Sequence, residues 1–209
     1  MSEPAHHSLK RHYEACLAEH GDSPQGVNWK NEHDAAIRHQ VMLDLIAPVP
    51  GRRVSVLDFG CGASHFYEHL VRQGRDDIAY TGLDISEAFV ALSREKYPHN
   101  PYLCLDVLSP GAELSTYDYV VLNGVFTNRT GMSHAAMHDF FTRLVTTLWP
   151  HVRVGMAFNA MTKHVDWERD DLFHLSFDEL AAFLKREVSR RFVIRSDYGL
   201  YDYTTYVYR

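Results

Sequence analysis

From residue 54 onwards, short apolar runs alternate with segments whose apolar positions recur every three to four residues. That alternation predicts a strand–helix repeat. Val54-Ser55-Val56-Leu57-Asp58-Phe59 reads as a first buried strand, and residues 64–73 as the helix after it. Ile78-Ala79-Tyr80-Thr81-Gly82-Leu83-Asp84 gives a second strand, and Ser86 is a fitting N-cap for a helix running towards Pro98. Third and fourth strands are expected at 102–107 and 117–122. The helix that starts near Ser133 places Met137, Phe140, Phe141, Leu144, Val145 and Leu148 on one face. A fifth strand follows at 152–158. Ser176-Phe177-Asp178-Glu179 is a capping box opening the next helix. Two β-rich runs, 191–196 and 203–208, close the chain as a hairpin.

Near-continuous apolar strands separated by helices imply a parallel sheet covered on both faces. The expected fold is therefore α/β and doubly wound. Its sheet has seven strands, mostly parallel, with one antiparallel strand supplied by the C-terminal hairpin. Ligands in such sheets sit beyond the carboxyl ends of the strands, where the strand order reverses.

The first fifty residues follow a different pattern. Leu9, Tyr13, Cys16 and Leu17 mark a short amphipathic helix ended by Gly21, and Ile37, Val41 and Leu45 mark a second. The loop between them carries Pro24, Gly26 and Trp29. We expect residues 1–50 to form a helical cap or lid, and residues 51–209 a ligand-binding domain that folds as one unit with it. Trp29 either plugs the gap between cap and sheet or forms a wall over the ligand.

Composition narrows the function. At 209 residues the chain has the length of one domain. A formal net charge of -6 without any basic block disfavours a nucleic-acid partner. No apolar run has membrane-spanning length, so no membrane partner is expected and a cytoplasmic location is. Cys16, Cys61 and Cys104 are too few and too widely spaced for a disulfide framework. His65/His69 and His134/His138 have i,i+4 spacing, but neither pair has an obvious third ligand, and no metal is expected.

The chemistry is carried by the strand ends. Asp58-Phe59-Gly60-Cys61-Gly62 joins an acid to a glycine turn through which backbone can approach a ligand closely. A pyrophosphate would be repelled by Asp58, whereas an ammonium or sulfonium group would be attracted. That disfavours a nicotinamide oxidoreductase. Asp84, ending the second strand, can accept both hydroxyls of a ribose. Asp106, at the third strand's end, can accept from an adenine amine, with Val107 or Leu108 against the ring and Ile85 on its other face. Three acids in this order suit an adenosine with a cationic tail.

On these residues, roughly 54 to 209, the sequence resembles the class I S-adenosylmethionine-dependent methyltransferases, whose sheet is Rossmann-like. Asp58 to Gly62 looks like their glycine-rich motif, Asp84 like the ribose acid and Asp106 like the adenine-side acid. Ser64 departs from the pattern, standing where a third glycine is common. The resemblance implies S-adenosyl-L-methionine as cofactor and places Asn123 beside its methionine part. Arg38 is a candidate for the cofactor carboxylate, or for a surface acid. Methyl transfer mainly requires alignment of the reactants and sometimes removal of a proton. By topology the catalytic candidates are Asn123, Asn159 and His164. The expected reaction is O- or N-methylation of a small molecule, with a sugar or secondary metabolite among the candidates. The oligomeric state is not legible. A catalytically silent, cofactor-binding subunit or sensor is the alternative, and a protein or RNA methyltransferase is disfavoured by the acidic balance.

Overall fold

A computed structural model describes residues 4–209. Two helices, α1 (His7–His20) and α2 (Glu32–Asp44), precede the sheet. Then come β1 (Val54–Phe59), α3 (His65–Arg72), β2 (Ile78–Asp84), α4 (Glu87–Lys96), β3 (Tyr102–Cys104) and β4 (Tyr117–Phe126). The chain continues through α5 (His134–Leu148), β5 (Val152–Met161), α6 (Phe177–Phe183), β6 (Phe192–Arg195) and β7 (Asp202–Tyr208). The seven strands lie in the order β3-β2-β1-β4-β5-β7-β6. All pairings are parallel except those of β7, which runs antiparallel to both β5 and β6. The order reverses between β1 and β4, so the cleft opens above those two strands.

Helix starts follow the sequence. Ser86, Ser133 and Ser176 each accept a backbone N–H in the first turn, and Ser176 with Glu179 completes the capping box. α1 ends at Gly21, whose φ of 64° is open to glycine at little cost. One core lies between the sheet and α5–α6, with Phe126, Phe141, Phe158 and Phe173 wholly buried, and includes Leu9 of α1. The other lies under α2, α3 and α4, with Met42, Val56 and Phe66. At about 25 cal/mol per Å² of apolar surface, burying each such ring contributes about 2–3 kcal/mol.

Three strand boundaries differ from the expectation. β3 pairs over three residues only, ending at Cys104, so Asp106 and Val107 lie in the loop beyond it. β4 continues to Phe126 and β5 to Met161, which places Asn123 and Asn159 inside strands. The C-terminal tyrosines serve packing: Tyr203 donates to Leu175 O (3.1 Å), Tyr206 to Val41 O, and Tyr198 pairs with Thr204 Oγ1 (3.0 Å). Tyr201 points outward.

Candidate active site

The carboxyl ends of β1, β2 and β4, the loop after β3 and the two N-terminal helices enclose a cleft. Its volume is about 1110 Å³, counting space open to solvent. Asp58, Gly60, Gly62, Asp84, Ile85, Asp106, Val107, Asn123 and Trp29 all line it. Arg38, Asn159 and His164 do not.

The first acid sits at the cleft floor. Asp58 is 2% exposed and accepts from Tyr80 OH (2.8 Å). Burial pushes its carboxyl up to about 7, against the hydrogen bond from Tyr80, and the neighbouring Asp84 adds to the rise. Behind it the chain turns through Gly60 (φ 70°) and Gly62 (φ 51°), where a Cβ would meet Val125 at 2.8 Å and Val27 at 3.2 Å. Ser64 takes the same left-handed conformation (φ 60°), so the expected third glycine is replaced without changing the path. Its wholly buried hydroxyl bonds to those of Ser93 (2.8 Å) and Tyr102 (3.1 Å), offsetting a backbone cost of about 1–3 kcal/mol.

Asp84 ties the turn to the next helix. Its two oxygens accept from Gly62 N (3.0 Å) and Ser86 N (2.9 Å), while burial raises its pKa. Asp106 is held by the cap: Nε2 of His6 (3.0 Å) and of His7 (3.2 Å) both meet its Oδ2, and Leu108 N donates to Oδ1 (3.0 Å). Burial pushes this carboxyl up, but the hydrogen bonds outweigh it and hold it below the ordinary range.

Asn123 lies in the cleft wall with its Oδ1 buried and, among the described residues, without a hydrogen-bond partner. A buried acceptor left unmade costs about 1–3 kcal/mol, which a ligand donor would recover. Next to it, Gly124 is pinned from both sides. Its N–H donates to Asn159 Oδ1 (2.7 Å), and an added Cβ would lie 2.8 Å from the Trp29 ring. Asn159 is fully buried, and its Nδ2 donates to Asp202 Oδ2 (2.8 Å). Asp202 in turn receives Nε (3.0 Å) and Nη2 (2.9 Å) of Arg38, whose guanidinium also stacks 4.5 Å from the Trp29 ring centre.

That network reassigns two candidates. Arg38 is directed at Asp202 rather than at the cleft, because the buried carboxylate needs a cation. Asn159 has both ends of its amide committed and bolts β4 to β7. His164 lies exposed beside Phe177, ring centres 5.2 Å apart, outside the cleft. The paired histidines also diverge: His65 meets Asp22 (2.8 Å), His69 meets Gln40 (3.0 Å), and His134 meets His174 O (2.9 Å).

Sequence reasoning missed several residues of the cap that line the cleft or touch its lining. Tyr13 lines it, with its hydroxyl 3.4 Å from Gly124 O and 3.3 Å from Asn128 Nδ2. Glu14 accepts from Ser86 Oγ (2.7 Å), and His39 faces the cleft from α2. Their only sequence signal is position on helices expected to cover the site.

Comparison with known proteins identifies the family. Residues 57–150 match the family described as "Methyltransferase domain". A curated relative, "Putative methyltransferase Rv1506c" of Mycobacterium tuberculosis, is 30% identical over 159 residues, covering 73% of this chain and 92% of its own. The chain belongs to the class I S-adenosylmethionine-dependent methyltransferases. Among solved structures, this methyltransferase is similar to the magnesium protoporphyrin IX methyltransferase of Synechocystis PCC 6803 with bound S-adenosylhomocysteine. That likeness has a TM-score of 0.69 at 14% identity and covers 98% of this chain and 99% of that one. The plantazolicin methyltransferase BpumL, solved with a triazolic substrate analogue and S-adenosylhomocysteine, gives 0.62 at 14% identity, with 98% of each chain covered. S-adenosylmethionine is the cofactor. The donor set fits it: an unmatched acceptor at Asn123, a glycine cradle, and acids at the ends of β1 and β2.

Proposed function

We propose that this methyltransferase modifies an oxygen or nitrogen of a small molecule inside a cleft closed by its N-terminal cap. The observation that carries the reading is the cleft itself. Asp58, Asp84 and Asp106 converge on it, and α1 lies across it through Tyr13, Glu14 and the two histidines on Asp106. Such a cover leaves room for a compact acceptor rather than a folded polymer. The two structural neighbours, a magnesium protoporphyrin IX and a plantazolicin methyltransferase, support the same class.

In this reading Asp58 and Asn123 Oδ1 receive the ammonium of the cofactor, Asp84 the ribose hydroxyls and Asp106 the adenine amine. Val107 and Ile85 hold the adenine ring. The bound cofactor supplies an activated methyl group on sulfur. The protein's own contribution is alignment and exclusion of water. Gly124, held from one side by Asn159 and from the other by Trp29, fixes the backbone beside which the acceptor sits. His164 stays outside, and alignment rather than a dedicated base accounts for the rate. The test is transfer from methyl-labelled cofactor into a fractionated cell extract. Label should collect in the low-mass fraction, and label confined to protein or RNA would refute the proposal.

Residues 1–50, the cap, serve as a lid. His6 and His7 at the start of α1 occupy Asp106, an acid assigned to the cofactor, while Tyr13 and Glu14 meet Gly124 and Ser86 of the cleft lining. Amide exchange over residues 8–40 should therefore slow when S-adenosylhomocysteine is added. Exchange that ignores the ligand would make the cap a permanently docked helix pair.

A further inference from the structure

The basic side chains lining the cleft are His6, Lys10, His39 and His65. Three of them already face acids. His6 meets Asp106 (3.0 Å), His65 meets Asp22 (2.8 Å), and Lys10 lies 3.8 Å from Glu14. His39 is the exception: it is 8% exposed, packs beside Phe66 and His69, and its ring nitrogens have no hydrogen-bond partner among the described residues. The ring lines the cleft, so a nitrogen open to it can meet a ligand there.

The amino acid end of the cofactor brings two charges into this part of the cleft. Its ammonium has Asp58 and Asn123; its carboxylate still needs donors. The glycine turn cannot supply them from Gly60, Cys61 or Gly62. The first two amides donate to Leu83 O (2.8 and 3.0 Å), and Gly62 N donates to Asp84. Arg38, the neighbouring cation on α2, is committed to Asp202. That same anchoring fixes the rotation of α2 and turns the next residue towards the cleft.

We infer that His39 donates a hydrogen bond to the carboxylate of the cofactor's methionine part. The assignment rests on the cofactor placement proposed above. Electrostatics favour it. Burial, and then the nearby His69, His65, Arg72 and Arg38, push the His39 pKa down to about 3, so the ring enters as a neutral donor. Asp58 and Asp84 lie in the same cleft and serve the opposite charge. A neutral imidazole has one N–H to give, and a carboxylate oxygen is a suitable acceptor for it.

Calorimetry with S-adenosylhomocysteine and its decarboxylated analogue tests this on the full chain. His39→Ala should weaken S-adenosylhomocysteine by about 10- to 100-fold, the range for a hydrogen bond to a charged group. The decarboxylated analogue should change less than about twofold, because the group that His39 recognises is gone. His39→Gln, which keeps a donor, should restore part of the loss and covers the case of an unfolded alanine variant. Equal losses for both ligands would overturn the assignment, leaving His39 as packing. Wild-type protein that binds neither ligand would sink the cofactor placement together with it.

Discussion

Replacing Arg38 by alanine is expected to destabilise the protein by about 3–5 kcal/mol, the range for removing one partner of a buried ion pair. Asp202 is the reason. Its side chain is completely buried, and Arg38, 12% exposed, is the cation on it. Without that guanidinium the carboxylate keeps a single hydrogen bond, from Asn159 Nδ2, in a place where it cannot be hydrated. Trp29 would also lose the cation stacked on its face. Since whole domains are stable by only about 5–15 kcal/mol, the variant should unfold at a much lower urea concentration with little change in slope. Arg186→Ala, which breaks the exposed pair with Glu187, should lie within about 0.5 kcal/mol of wild type and serves as the control. A loss below about 1 kcal/mol for Arg38→Ala would show that Asp202 does not depend on it.

The contrast between Arg38 and His39 also shows where the sequence stops being informative. Periodicity placed Ile37, Val41 and Leu45 on the inner face of α2, and Val41 and Leu45 are indeed buried. It does not tell which flank of that stripe meets the cleft, because that depends on how α2 docks, and Asp202 lies 164 residues away. The strand ends were legible for a physical reason. Strands buried on both faces read as apolar runs, so an acid that ends one is conspicuous, and Asp58 and Asp84 stand at the cleft. β4 and β5 outran their apolar runs because Asn123-Gly124 and Asn159 are polar or small, and a buried amide pairs as readily as it would at a loop. The sequence offers Asn159 as a catalytic candidate, yet its partners are a backbone amide on β4 and a carboxylate on β7. The cap residues Tyr13, Glu14 and His39 belong to no motif. Their importance follows from a docking that local pattern does not encode. His164 had only its place after β5 in its favour, in a chain with 14 histidines.

Cofactor affinity should fall by about tenfold for each pH unit below 7, which is the largest effect expected from a single group in the cleft. In the empty cleft burial raises the Asp58 carboxyl to about 7, with Asp84 adding to the rise. At neutral pH it is therefore about half protonated, and it must give up that proton to receive an ammonium. Below pH 7 the proton competes with the ligand; well above it, the carboxylate is ready and affinity levels off. From pH 7.5 to pH 5 the dissociation constant for S-adenosylhomocysteine should rise about 100-fold, with proton release visible as buffer-dependent heat. Asp84, also raised by burial, can only steepen the same trend. Stability runs the other way. A carboxyl whose pKa is raised on folding stabilises the folded chain below the ordinary carboxylate value, and that contribution is lost as pH climbs through 7. Asp58→Asn separates the two effects. It should bind weakly at every pH with a shallower slope, while gaining stability relative to wild type at pH 7.5 compared with pH 4. An affinity that stays flat from pH 5 to 7.5 in wild type would mean that Asp58 does not meet the cationic end of the cofactor.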